Sequence, residues 1–243
     1  MKKIIGMVAA LALVFGFAKP ILAEEEKEKG TEFSVEVAYF SQYIGPFGAT
    51  YYDKGVVQAD LGFVHPSGFH VDVWGSYSSD GGWNSDFGDE LDLIVGVTKT
   101  LGPIEIDLGA AYYDLLKVGK LDSEDVYGAT LKVSAPETLL GLTPFVAVEV
   151  DFPYGEGGVL YQAGISRSFL EHFEASLLAN GHNGAFGIKS ELVSSARASL
   201  SASFELVGIE IKPEVSYQRG FGGDDGMAEE SLFWWGVKVA KTF

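Results

Sequence analysis

FWWGVKVAKTF, residues 233 to 243, ends the chain with an apolar side chain at almost every second position. Phe233, Trp235, Val237, Val239 and Phe243 share one parity; Trp234, Gly236, Lys238 and Ala240 share the other. Period two marks a strand with one face in an apolar medium. Chain ends in water usually fray, so an apolar terminal strand calls for surroundings that hold it.

The same alternation occurs twelve times. The predicted strands are Phe33–Tyr43, Val57–His65, Phe69–Tyr77, Glu90–Lys99, Ile104–Tyr112, Val126–Ala135, Thr143–Asp151, Val159–Phe169, Phe173–Asn180, Ala196–Leu206, Ile209–Tyr217 and Phe233–Phe243. The stretch between Asn180 and Ala196 has room for more strand, and Pro213 suggests a bulge. Tight links such as HPSG, TLGP, FLEH and Val207-Gly208 alternate with long polar or glycine-rich ones such as SSDGGWNSDFGD and QRGFGGDDGMAEE. Alternating short and long connections, an even strand count and strands of about 9–11 residues predict an all-β chain. Its fold is a transmembrane antiparallel β-barrel.

The aromatic residues sort by strand end. With both termini on the periplasmic side, Tyr43, Tyr77, Tyr112, Tyr127, Tyr161, Tyr217 and Trp235 form an outer girdle. Phe33, Phe63, Phe69, Phe169, Phe173, Phe204 and Phe243 form a periplasmic one. Aliphatic residues lie between, which is the layering of a lipid-facing wall. A soluble sandwich gives no reason for such sorting.

Composition narrows the functions. The 243 residues include no cysteine, which excludes disulfides and thiol chemistry. A net charge of -17 disfavours nucleic acid as a partner. Residues 1–23 carry Lys2 and Lys3 ahead of IIGMVAALALVFGFA and are predicted to be a signal peptide cleaved after Ala23. Residues 24–31 read as a charged flexible tail and 32–243 as the barrel.

The other parity faces the lumen. It carries Glu36, Asp60, Asp72, Asp92, Glu105, Asp107, Glu149, Glu174, Glu205, Glu210 and Glu214, against Lys132, Arg197, Lys212 and Lys238. Such a wall favours cations. Trp74 and Trp234 also point inward, to fill volume or to stack on a solute. Asp224 and Asp225 in GGDDG lack the pattern of a cation-binding loop, and no metal or cofactor is expected. His182 with Ser190, Ser194 and Ser195 forms no nucleophile motif, so no enzyme is expected.

The runs YIGPFGATYYDKGVVQADLGFVHPSGFHVDVWGSYSSD and ELDLIVGVTKTLGPIEIDLGAAYYD carry a family pattern. Residues 33–114 resemble the TorF-type porins of Gram-negative bacteria. His65, Pro66, Ser67, Gly68 and Phe69 are followed by Trp74, Gly75 and Ser76, then by Glu90, Leu91, Asp92 and Gly96. The arginine-glycine pair usual after the first strand's tyrosine is replaced by Ile44-Gly45. The resemblance implies an integral outer-membrane protein, in contact with outer-membrane lipid and lipopolysaccharide, and supplies no catalytic residue.

The expected function is passive diffusion of small hydrophilic solutes with cation preference. The alternative is a plugged barrel acting through its outer loops. By the same resemblance, terminal Phe243 looks like the signal read by the outer-membrane assembly machinery. Lys241 departs from the apolar residue usual two places earlier, and its stem can snorkel to water. Deleting Phe243 is expected to lower the folded barrel in outer-membrane fractions several-fold, measured by heat-modifiable gel mobility. Undiminished assembly would remove that role.

Overall fold

The computed structural model describes residues 30–45, 48, 50–79, 89–114, 126–135, 141–152, 158–183, 191–221 and 231–243. The expected leader, most of the charged tail, Ser190, Asp224, Asp225 and most of the long links lie outside these residues.

Alternating β-branched and aromatic residues form fifteen strand segments among the described residues. They are β1 (Glu32–Phe40), β2 (Tyr43–Ile44), β3 (Thr50–Tyr52), β4 (Val56–Val64), β5 (Phe69–Ser78), β6 (Glu90–Leu101) and β7 (Ile104–Asp114). These are followed by β8 (Val126–Ser134), β9 (Thr143–Phe152), β10 (Val159–Phe169), β11 (Phe173–His182), β12 (Glu191–Ala202), β13 (Phe204–Leu206), β14 (Ile209–Gly220) and β15 (Ser231–Thr242). Thirteen of them make one antiparallel sheet, and β2 and β3 form a separate hairpin. Each wall strand pairs with its neighbour in sequence, β1 skips the hairpin to pair with β4, and β15 returns to β1. Because β12 and β13 both pair with β14, they are two parts of one wall strand. The result is the expected closed twelve-stranded barrel.

Closure runs from Ser34 opposite Thr242 to Phe40 opposite Gly236. Beyond it, Phe33 and Phe243 exchange backbone hydrogen bonds of 3.3 and 2.8 Å. On the outward face Phe33 is 53% exposed and Trp235 47%, with Val37, Leu61, Leu177 and Val215 exposed between the rims. An apolar belt of this extent belongs in lipid, since a soluble monomer rarely shows one. At the short-turn rim Phe33 lies 5.2 Å from Phe63, which lies 6.4 Å from Phe69; Phe169 stacks on Phe173 at 5.8 Å. Phe204 stacks with His172, and Lys241 lies over the Phe243 ring at 4.9 Å. At the other rim Tyr77, Tyr217 and Trp235 are exposed, Tyr112 and Tyr161 are half-buried, and Tyr127 is buried beside Tyr112.

Three departures from the expected strands have local causes. The first wall strand stops at Phe40, because Ser41 and Gln42 bend the chain before Tyr43. The stretch before Ala196 does contain strand: β11 reaches His182 and β12 starts at Glu191, with a bulge between Asn180 and His182. Pro213 causes no bulge. Ser201 faces Glu214 and Phe204 faces Ile211 in one continuous register. The ladder to β14 lapses only at Ala202 and Ser203, opposite Pro213 and Lys212, where the proline has no N–H to donate. Ser203 N–H continues the ladder on the other side, to His172 O at 2.6 Å.

The short turns use the left-handed region. Gly68 has φ +88°, Gly102 +62° and Gly208 +72°, conformations open to glycine. Val207, beside Gly208, holds φ +54° and is 90% exposed. A β-branched residue is strained there by about 1–2 kcal/mol. Val207→Asn is expected to stabilise the barrel by about 1 kcal/mol, read as a higher urea midpoint in reversible unfolding.

Candidate functional site: a luminal cavity beside an inward-folded hairpin

The β2–β3 hairpin lies inside the barrel. Tyr43 pairs with Tyr52 and Ile44 with Thr50. Tyr43 is only 8% exposed, and its hydroxyl donates to the Glu90 carboxylate of β6. Its ring meets Tyr51 at 5.2 Å and Trp74 at 5.8 Å. On the far side, Gln218 Nε2 of β14 donates to Gly48 O at 2.6 Å. Gly48 has φ +81°, and a Cβ there would stand 2.4 Å from Ser195 Oγ of β12. The connection therefore spans the lumen from β6 to β12 and β14.

This corrects the girdle assignment of Tyr43. The bend at Ser41–Gln42 breaks the alternation and turns Tyr43 inward. The bend is held by Ser41 N to Trp235 O at 2.9 Å and Trp235 N to Ser41 Oγ at 3.1 Å. Tyr39 stands on the outward face instead, 5.6 Å from Trp235. The sequence did hold a signal: IGPFGATYYDKG carries Phe47, Tyr51 and Tyr52, more aromatic side chains than any other long link, so it is ill-suited to water.

The polar parity occupies the inner wall. Glu36 pairs with Lys238 and Glu174 with Lys212, each at 3.6 Å. His70 bridges Asp72 at 3.1 Å and Asp107 at 2.8 Å, and Thr98 Oγ1 also donates to Asp107. Asp60 lies between Glu36 and Asp72. Asp92 and Glu149 stand near Glu90 and Asp114, while Glu105 is half-buried opposite Ser134. Glu205 and Glu210 face each other, exposed, at the short-turn rim. Glu214 accepts from Ser216 at 2.8 Å. Lys132 lies over Phe145 at 5.2 Å and Arg197 over Trp234 at 5.0 Å. Trp234 is 4% exposed, and Trp74 lies against Tyr43.

Sequence reading omitted Glu90 and Asp151 from the lumen. Both are buried, and both share the parity of Asp92 and Glu149 at strand ends. The predicted strands Glu90–Lys99 and Thr143–Asp151 already contain them, so the same alternation assigns both to the lumen.

A cavity of about 360 Å³ opens against the hairpin. Gln42, Tyr43, Trp74, Arg197, Glu214 and Trp234 are among its lining residues. It offers a cation, carboxylates and amides in one space. Gly48→Val places a β-branched residue at positive φ and into Ser195 and Gln218, costing about 1–3 kcal/mol. Amide hydrogen exchange across residues 41–55 is expected to rise about tenfold or more. Unchanged protection would mean that the Gly48 contact does not hold the hairpin.

Solved structures share this architecture. The KdgM porin aligns at 12% identity with TM-score 0.57, over 86% of this chain and 99% of that one. The KdgM porin in complex with disordered oligogalacturonate gives the same values. The NanC porin aligns at 11% identity and TM-score 0.55, over 86% of this chain and 98% of that one. At such identities the likeness is one of fold. No curated protein sequence matches the chain. Residues 24–151, more than half of its length, match the Gcw_chp family, described as a bacterial protein of unknown function, and the chain belongs to that family.

Proposed function

We propose that the chain is a TorF-type outer-membrane channel that passes small hydrophilic solutes by passive diffusion and prefers cations. The observation that carries this reading is a luminal space of about 360 Å³ inside a closed barrel with an acid-rich inner wall. The exposed apolar belt supports a place in a lipid bilayer. The predicted leader and the terminal strand support export and insertion by the assembly machinery, with lipopolysaccharide around the outer rim. Fixed carboxylates in a narrow passage concentrate cations and repel anions. An acidic sugar chain such as the oligogalacturonate in the KdgM complex would meet that repulsion here.

The hairpin favours a second reading. Its contacts with Glu90 and Gln218 span the lumen, as expected of a plugged barrel that acts through its outer loops. An enzyme is less well supported. Ser194 and Ser195 are fully buried and bonded to Asn180, which keeps their hydroxyls from an external substrate.

In planar bilayers the folded protein is expected to give discrete conductance steps. In a KCl gradient the reversal potential is expected to take the sign of cation selectivity. Folded, heat-modifiable protein without steps would favour the plugged barrel, and an anion-selective potential would overturn the cation preference.

A further inference from the structure

We infer that the luminal cavity holds a binding subsite for small zwitterions of the amino-acid class, with Arg197 as the anchor for the solute carboxylate. The inference rests on the channel reading and names its solute class.

Arg197 differs from the two lysines nearest the cavity. Lys212 and Lys238 each have a carboxylate at 3.6 Å. Among the described residues Arg197 forms no ion pair, and its buried Nε has no hydrogen-bond partner. The guanidinium is held in place by the Trp234 ring at 5.0 Å. Stacking leaves the planar fork of donors oriented for a carboxylate, which guanidinium binds in a bidentate manner. Gln42 Oε1, on the same cavity, is also buried without a partner. Two residues that line one cavity thus each keep a buried polar atom without a partner.

The surrounding charges choose the solute. Glu174, Glu214 and Lys238 line the cavity with Arg197. Glu174 is paired with Lys212 and Lys238 with Glu36, so among the described residues Arg197 and Glu214 are the lining charges without an ion pair. A simple anion would gain Arg197 but be repelled by Glu214. A simple cation would gain Glu214 but be repelled by Arg197. A molecule with both charges satisfies both, placing its carboxylate on Arg197 and its ammonium toward Glu214. The volume of about 360 Å³ is at the small end of ligand sites, about 300–1,000 Å³. Such a subsite would slow zwitterions in transit and enrich them over simple salts.

The test uses the full barrel, with L-alanine, acetate and methylammonium as probes. Binding is read by intrinsic tryptophan fluorescence, since Trp234 carries Arg197, and by block of ion current. L-Alanine is expected to bind about tenfold or more tightly than either single-charge probe. Arg197→Gln is expected to remove that advantage, with Arg197→Lys intermediate. Glu214→Gln is expected to weaken L-alanine without weakening acetate, and it keeps the test open should Arg197→Gln fail to fold. Equal binding of the three probes would overturn the subsite. So would L-alanine binding unchanged in Arg197→Gln, which would leave only water on Nε. A barrel that gives no current yet binds L-alanine through Arg197 would sink the channel reading and keep the subsite.

Discussion

The ladder between the first and last wall strands is the constraint from which the rest follows. Within a bilayer no water can satisfy an open sheet edge, so every backbone N–H and C=O must find a partner in the protein. The β1–β15 pairing, extended by the bonds between Phe33 and Phe243, supplies those partners. It commits each residue to lipid or lumen by parity alone. It also explains why an aromatic residue ends the chain. The terminus is part of the wall, and its side chain contributes to the same rim as Phe33 and Phe63.

The inner surface shows how a narrow barrel accommodates large side chains. Phe40 lies across its cross-strand partner Gly236, Phe145 across Gly164, and His70 across Gly96. In each pair a Cβ on the glycine would stand within 2.5 Å of the partner ring. The glycines therefore act as sockets that let rings lie flat against the wall. Flat packing leaves luminal room that upright rings would occupy. Some of the chain's 31 glycines thus serve packing across strands as well as turns.

The hairpin and the charges act on this space together. One wall, around Glu90, Asp92, Glu149 and Asp151, is acidic and covered by tyrosines from the hairpin and from β7. The opposite wall carries Arg197, Lys212 and Lys238 among its acids. The hairpin bridges the two walls, and the cavity lies against it. A solute that enters meets an oriented field in a confined volume, where charge pattern discriminates more strongly than in bulk water.

The strand alternation determined the barrel, its strand number and the parity of the wall, because side-chain direction along a strand is a local property. The missed strand ends at His182 and Glu191, and the inward positions of Glu90 and Asp151, also lay within that pattern, hidden where long links blur it. Tyr43 was different. Its inward turn depends on Glu90, 47 residues away, and the hairpin's other anchor joins Gly48 to Gln218, 170 residues away. The pairing of Lys212 and Lys238 with acids, and the lack of such a partner for Arg197 among the described residues, likewise depend on neighbours across the lumen. Only closure of the cylinder brings those walls face to face, so only the tertiary structure decided what crosses the lumen and where its cavity lies.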